Sequence, residues 1–409
     1  MIESQSDLMT IIGDSTSIKV LQQANVKKAD LVIAVLHDEH INLLTGILAK
    51  KLGAKKVIVR VNTMENLSKE NWRIYQDLGI DGIVSPEDIA AQEIINLLKQ
   101  NVATEAHDFA GGKLELLMIK LEPNAPSINK TLEELIENYK HIDFKALAIH
   151  RRQNTFIPKA DDVFLEGDLV YVITKPHALK ELMQLSGKTK FNINNVMIVG
   201  GGRIGKLTAK RLENELNIKI IEMEKERCFE LTNVLSNTLV VNADARNVDL
   251  LEDEGIKEMD AFIAVTDNTE TNILTCLQAK SFGVKRTIAM VENIDYIDIS
   301  QNIGIDTIIN KKLIAASYMV RYTLGGNVSS LKCLSGIDAD IVEFVVRDGA
   351  AVTDKPINRL DMPEGAIIGG IIRGEDSFIA TGNFQIQAED RVVVLVLPKT
   401  IQAVEKLFR

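Results

Sequence analysis

Two stretches of this 409-residue chain repeat each other at a fixed separation, and the repeat decides what the chain can fold into. Gly13-Asp14-Ser15 aligns with Ala243-Asp244-Ala245, Ala29-Asp30 with Met259-Asp260, and Ile33-Ala34-Val35 with Ile263-Ala264-Val265. Asn42 and Ala49-Lys50 fall on Asn272 and Ala279-Lys280, all at a shift of 230. The match resumes at Gly79-Ile80-Asp81 and Gly304-Ile305-Asp306 with the shift reduced to 225, so the first copy carries five extra residues in between. Internal repetition of this length means two copies of one structural unit, and the second, more complete copy defines it.

In that copy Asn195 to Val199 is a short apolar run rich in branched residues, as expected of a buried parallel strand. Gly200-Gly201-Gly202-Arg203-Ile204-Gly205 follows directly, then a predicted helix from Lys206 to about Leu216. A second apolar run, Ile218 to Ile221, ends on Glu222, 20 residues beyond the second glycine of the motif. Strand, Gly-x-Gly-x-x-Gly, helix and terminal acid together form a dinucleotide-binding pattern. Gly200 permits the tight turn, Gly202 lets a pyrophosphate reach the backbone, and Gly205 lets helix and strand pack closely. The helix N-terminus then faces the anion with its N–H groups. A carboxylate at Glu222 accepts from ribose hydroxyls and repels a 2′-phosphate, which favours NAD(H) or another adenine nucleotide with a free ribose over NADP.

A length of 409 residues suggests about two to four domains. No apolar run approaches the roughly 18 residues needed to span a bilayer, and Leu31 to Leu36 and Val392 to Leu397 are long enough only for core strands. No signal peptide is recognisable at the start. Cys228, Cys276 and Cys333 share no metal spacing, which fits buried thiols in a reducing cytosol. A net charge of −10 argues against nucleic acid, which requires a basic face.

Smaller repeats follow each nucleotide-type unit. Gly112 to Gly187 and Asn327 to Arg409 carry alternating apolar residues, such as Leu114, Leu116 and Met118 in the first. They also end alike, with Gly167-Asp168 before Leu169 to Val172 and Glu389-Asp390 before Arg391 to Val394, and Asp168 and Pro176 fall on Asp390 and Pro398 at a shift of 222. The expected class is α/β, with tandem Rossmann-like doubly wound parallel sheets, each followed by a small α+β lobe. The expected domains are 1–105, a nucleotide domain without its front; 106–190, a lobe; 191–325, a complete nucleotide domain; and 326–409, the second lobe.

This alternation, with Gly13-Asp14-Ser15-Thr16 and the motif at Gly200 to Gly205, resembles the TrkA family over almost the whole chain. Members are cytosolic regulatory subunits of Trk-type potassium uptake systems, built from tandem RCK domains. The resemblance implies binding of NAD(H), and of ATP or ADP as further adenine nucleotides, beneath a separate integral membrane channel subunit. It implies a chain that is cytoplasmic, peripheral to the inner face of the membrane through that partner, self-associating, without a membrane span and without nucleic acid. It assigns Gly200, Gly201, Gly202, Arg203, Ile204 and Gly205 to the pyrophosphate loop and Glu222 to the ribose. Asp244 and Ala245 would border the adenosine, and Thr266 would lie at the lip of the fourth strand. In the first copy Asp14, Ser15 and Arg60 take corresponding places, although the second copy has Met290 where the first has Arg60. Asn242-Ala243-Asp244 departs from the Gly-Asp usual at that turn.

His37-Asp38-Glu39-His40 reads as a polar helix start, where acids suit the dipole, rather than as a metal site, because the aligned Asp267-Asn268-Thr269-Glu270 has no histidine. His107, His141, His150 and His177 show no spacing that points to chemistry and read as surface or packing residues. The rival class is an NAD-dependent dehydrogenase, which needs an acid/base residue beside the nicotinamide. No histidine occurs from Asn194 onward, and Lys311 to Gly325, holding the remaining candidates Lys311, Lys312 and Tyr318, reads as a helix linking domain to lobe. A regulatory, non-enzymatic chain is therefore expected. A regulator of another cation channel or efflux system would share every motif.

The first copy begins late. At its register the equivalents of the first strand, the glycine loop, the first helix and the second strand fall before Met1. In a sheet of order 3-2-1-4-5-6, strands one and two lie between three and four. Leu8 to Ile12, the expected third strand, is left without a neighbour, and Leu31 to Val35 becomes an open apolar edge. An internal methionine taken as the start is the favoured explanation, over a gene that has lost its beginning. The prediction is an in-frame Gly-x-Gly-x-x-Gly about 35 to 45 codons upstream of Met1, read from the DNA; a stop codon directly upstream would refute it.

Overall fold

The computed structural model describes residues 9–63, 66, 68–99, 105–109, 111–151, 154–187, 192–320, 322, 328–334, 339–397 and 400–409. The chain packs as two compact units, Met1–Ile89 with Ala315–Thr323, and Ala90–Ile314 with Leu324–Arg409.

In the first unit, helix α1 (Ile18–Gln23) precedes a parallel sheet of β1 (Leu31–Ala34), β2 (Lys56–Arg60) and β3 (Gly82–Val84), interleaved with α2 (Glu39–Lys51) and α3 (Lys69–Asp77). Helix α4 (Pro86–Lys99) leaves it. Val57, Val59 and Val61 are buried on one face of this sheet with Leu43, Ala49 and Ile80. The expected strand Leu8 to Ile12 is not formed: Leu8 lies outside the described residues, and Met9 to Ile12 have no strand structure, with Ile12 fully exposed. Backbone without a neighbouring strand has nothing to pair with. As expected, β1 is an edge, with Ile33 and Val35 more than a third exposed.

The second unit begins with the first lobe: β4 (Glu105–Phe109), β5 (Leu114–Lys120), α5 (Leu132–Asn138), β6 (Phe144–Arg151), β7 (Asn154–Phe156), β8 (Leu169–Thr174) and α6 (Leu179–Leu185). A six-stranded parallel domain follows: β9 (Asn195–Val199), α7 (Arg203–Leu212), β10 (Asn217–Glu222), α8 (Lys225–Val234), β11 (Thr238–Asn242), α9 (Val248–Asp253), β12 (Ala261–Ala264), α10 (Thr269–Ser281), β13 (Arg286–Met290), α11 (Asp295–Asn302) and β14 (Thr307–Ile309). Helix α12 (Lys311–Val320) leads to the second lobe: β15 (Val328–Cys333), β16 (Asp340–Val345), β17 (Ala366–Arg373), β18 (Asp376–Ile379), β19 (Arg391–Val396) and α13 (Ile401–Leu407).

The parallel sheet runs β11-β10-β9-β12-β13-β14, the order 3-2-1-4-5-6 of a doubly wound fold. Its central strands are buried on both faces, so β12 reads Ala-Phe-Ile-Ala without alternation. Helix α7 starts three residues before the expected Lys206, because Arg203, Ile204 and Gly205 form its first turn, and it ends at Leu212 rather than Leu216. The helix expected from Lys311 ends at Val320, and Gly325 lies outside the described residues. Its later part, with Tyr318, packs against Ile58 and Val84 of the first unit, as does Tyr322 beyond its end. The part of α4 from Ala90 on packs instead in the core of the six-stranded domain, with Ile198 and Ile204. Among the described residues no helix is long and apolar enough to cross a membrane.

The two lobes share one topology, β4-β5-β8-β6-β7 and β15-β16-β19-β17-β18. In each, a buried aspartate closes the turn before the central strand through a two-pronged pair, Arg151 with Asp168 and Arg373 with Asp390. This accounts for the repeated Asp168 and Asp390; Pro398 lies outside the described residues. The alternating Leu114, Leu116 and Met118 do not face a helix of their own lobe. They join Tyr171 and Ile173 in a core shared with Ile341, Ile372, Val393 and Leu395, so the two sheets pack face to face. Within that packing Lys145 donates to the carbonyls of Ile368 (2.9 Å) and Ala380 (3.0 Å).

Burial lowers the Lys145 ammonium to about 8. The unfolded chain then holds a proton that the folded chain gives up between about pH 8 and 10.5, so this lysine's penalty on folding fades as pH rises. The unfolding midpoint of the chain, measured against Lys145→Met, is expected to gain on the variant across that interval. A constant difference would refute the assignment.

Candidate functional site

The carboxyl ends of β9, β10, β11 and β12 open onto one crevice of about 380 Å³, lined by Gly200, Gly202, Glu222, Asp244, Ala245 and Thr266 with Arg227, Arg246 and Asn268. It lies where the strand order reverses, between β9 and β12, the place where open α/β sheets bind ligands.

The glycines differ in what they allow. Gly200 has φ of 100°, a conformation that other residues rarely adopt, and a β-carbon there would press on the backbone of Val265 and Thr266. A β-carbon on Gly205 would overlap the carbonyl oxygen of Gly200, so the first turn of α7 rests directly on the strand end. A β-carbon on Gly202, which lines the crevice, would meet nothing within 4 Å. As the N-cap of α7 it offers no side chain to the first-turn N–H groups, leaving the helix end bare toward the crevice. Ile204 and Gly205 turn into the core, and Arg203 is exposed.

Glu222 is buried and fixed. Its Oε2 accepts from the Gly201 N–H at 2.7 Å, its Oε1 accepts from the Glu224 N–H at 2.8 Å, and Arg227 stands 3.5 Å away. Gly201 therefore acts behind the crevice wall, against Glu222 and Leu231. Asp244 is gripped by Arg246 through Nε and Nη2, and these hydrogen bonds, with the Arg246 N–H, hold its carboxyl below the usual range. Ala243, which replaces the usual glycine, donates its N–H to the Glu222 carbonyl and does not take a positive φ, so the turn accommodates it.

Thr266 is held by Asn272, fully buried at the start of α10. The Asn272 Oδ1 accepts from the Thr266 N–H and hydroxyl, and its Nδ2 donates to the Thr266 and Met290 carbonyls. Asn42 makes the matching bonds to Leu36 and Arg60 in the first unit. Asp14, Ser15 and Arg60 belong to that unit, outside the crevice. Asp14 accepts from the Thr16 N–H and hydroxyl, Ser15 shares a hydrogen bond with Thr45, and Arg60 pairs with Glu87 at 2.9 Å. Residues 9–99 hold no Gly-x-Gly-x-x-Gly. In the His37 to His40 segment, Asp38 caps α2 and Glu39 accepts from Asn62, Thr63 and Asn66.

Sequence reasoning missed Arg227 and Arg246. Their signal was weak: one lies a turn into the helix after the terminal acid, the other two residues after Asp244. It noted Asn272 only as a repeat of Asn42, and that duplication was the available clue.

A TrkA-N domain model matches residues 2–86 and 196–311, and a TrkA-C domain model matches 116–187 and 341–409. The Trk system potassium uptake protein TrkA homolog of Archaeoglobus fulgidus is 32% identical, with 99% of this chain and 91% of that protein covered. TrkA homolog 1 of Methanosarcina mazei is 30% identical over 98% of this chain and 91% of its own length. Among solved structures, the GsuK channel bound to NAD superposes with a TM-score of 0.59 at 18% identity, covering all of this chain and 72% of that one, a likeness of fold.

The last two glycines of the motif predict opposite outcomes on substitution. Gly205→Ala should cost about 2–4 kcal/mol in denaturant unfolding, because backbone must move. Gly202→Leu should stay within about 0.5 kcal/mol of the parent, its side chain projecting into the crevice.

Proposed function

Because this chain belongs to the TrkA family, we propose that it is the regulatory subunit of a potassium uptake system and senses a nucleotide through the crevice of its second unit. The observation that carries the reading is the pairing of an open Gly202 backbone with a fixed Glu222 carboxylate at the ends of β9 and β10. The ligand is NAD(H) or an adenine nucleotide with a free ribose. Gly202, Arg203 and Ile204 would receive the pyrophosphate on the bare end of α7. Glu222, already oriented by Gly201 and Glu224, would use its remaining lone pairs on the ribose hydroxyls and exclude a 2′-phosphate. Asp244, Ala245 and Thr266 would border the adenosine and the lip.

The chain itself does no chemistry in this reading. Regulation requires that the ligand prefer one arrangement of the protein over another. Ile204 shares a core with Ala90, Ala91 and Ile94 of α4, the helix that runs toward the first lobe, so a shift of the loop is felt there. The change is then read by contact at an integral membrane subunit, which places the chain on the inner face of the membrane through that partner. Self-association is supported by one repeated feature. Leu44, Ile74 and Leu78 in the first unit and their equivalents Leu274, Ile299 and Ile303 in the second are all exposed, on helices or at their ends.

Calorimetry should find NADH or NAD bound by the parent and lost in Gly202→Leu, with Glu222→Ala weaker by about 1–3 kcal/mol. Unchanged affinity in Gly202→Leu would remove the crevice as the site. Incubation of the chain with NADH and a panel of carbonyl and hydroxy acids should leave the nicotinamide absorbance constant. Steady oxidation with one of them would return the chain to the dehydrogenase class.

A further inference from the structure

A second cavity, of about 240 Å³, lies in the second unit between the first lobe and the six-stranded domain, away from the glycine loop. The lobe wall is built by three neighbouring strand ends. Lys120 of β5 and His150 of β6 both stand opposite Leu169 of β8. The facing wall is one side of α11, where Asp298, Gln301 and Asn302 follow at helical spacing.

The polar groups of this cavity fall into two sets. Lys280 and Asp306 satisfy each other at 2.6 Å, and His150 is hydrogen-bonded through Nδ1 to the Thr155 hydroxyl at 2.9 Å. Lys120, Asp298 and the Gln301 side chain have no ion-pair or hydrogen-bond partner among the described residues. Gln301 is the telling member, because only 8% of it is exposed. Its carboxamide keeps an opening to the cavity, where it is free to meet an entering polar group. The lobe wall carries the Lys120 ammonium beside the Glu122 carboxylate, which is already engaged within the protein, and α11 faces them with the Asp298 carboxylate.

We propose that this cavity binds a small zwitterion, its carboxylate on Lys120, its ammonium on Asp298, and the Gln301 carboxamide completing the contacts. A lone anion would leave Asp298 unmatched and a lone cation would leave Lys120 unmatched, whereas a molecule of amino-acid or betaine type answers both. The volume suits a ligand of that size. Because the walls come from two elements of the chain, the bound molecule ties the first lobe to the nucleotide domain. This gives the protein a second input, independent of the crevice at Gly202.

The test is titration of the full chain with glycine, glutamate and glycine betaine, beside acetate, phosphate and methylammonium, followed by calorimetry and by thermal unfolding. At least one zwitterion should bind and raise the melting temperature, while the single-charge compounds do neither. Lys120→Met and Asp298→Asn should each weaken binding by at least about tenfold. Neither residue has a partner to lose among the described residues, so both variants should fold. Gly202→Leu should leave this binding intact, which separates it from the nucleotide reading. Equal binding of acetate or phosphate with no effect of Asp298→Asn would overturn the proposal in favour of an anion pocket. Equal binding of methylammonium with no effect of Lys120→Met would overturn it in favour of a cation pocket. Absence of binding by all compounds at about 10 mM would overturn it outright.

Discussion

The architecture of the second unit depends on the contact between α7 and the end of β9. With no β-carbon at Gly205, the helix settles on the Gly200 carbonyl, and that approach sets the height of α7 above the sheet. The same placement brings Ile204 into the core with α4 and leaves the helix end facing the crevice. One missing methyl group thus fixes both a packing distance and the position of a site. Glu222 completes the arrangement from the next strand by holding the Gly201 N–H.

The comparison of the two units separates scaffold from chemistry. Asn42 and Asn272 make the same buried bracket between the fourth-strand end and the fifth strand, so the bracket belongs to the scaffold. The polar groups around it have diverged. Where Asp244 is gripped by an arginine, Asp14 is capped by a threonine. Where the first unit pairs Arg60 with Glu87, the second has Met290 and instead pairs Glu292 with Lys311 and Lys312. A duplicated fold has kept this buried bracket while the charged pairs around it went separate ways.

The glycine loop of the second unit and the acid at Glu222 were legible in the sequence, because each depends on residues close together in the chain. The strand order followed from the fold class that this pattern marks, since β9 pairs with β12 some way along the chain. The lobes were legible as strands and turns, but not as a pair. Leu114, Leu116 and Met118 announce a buried face without saying that the other lobe covers it. Arg227 and Arg246 escaped because an arginine near an acid is common in any charged surface run. The expected strand at Leu8 to Ile12 failed for a different reason: its residues suit a strand, but pairing is a property of two segments. Helix α12 starts at Lys311 as expected and ends at Val320, short of the expected Gly325, and its packing against Ile58 and Val84 is a tertiary choice that periodicity does not reveal.

That choice bears on how the protein is made. Ala315, Tyr318, Met319 and Tyr322 cover one patch, Ile58 and Val84, of a unit whose main core lies wholly before Ala90. A chain emerging from the ribosome at about 5–20 residues per second exposes the faces of Ile58 and Val84 long before Ala315 exists. The N-terminal unit therefore assembles its main core early and has one face covered late, so a nascent chain stalled anywhere in the six-stranded domain holds Ile58 and Val84 without that cover.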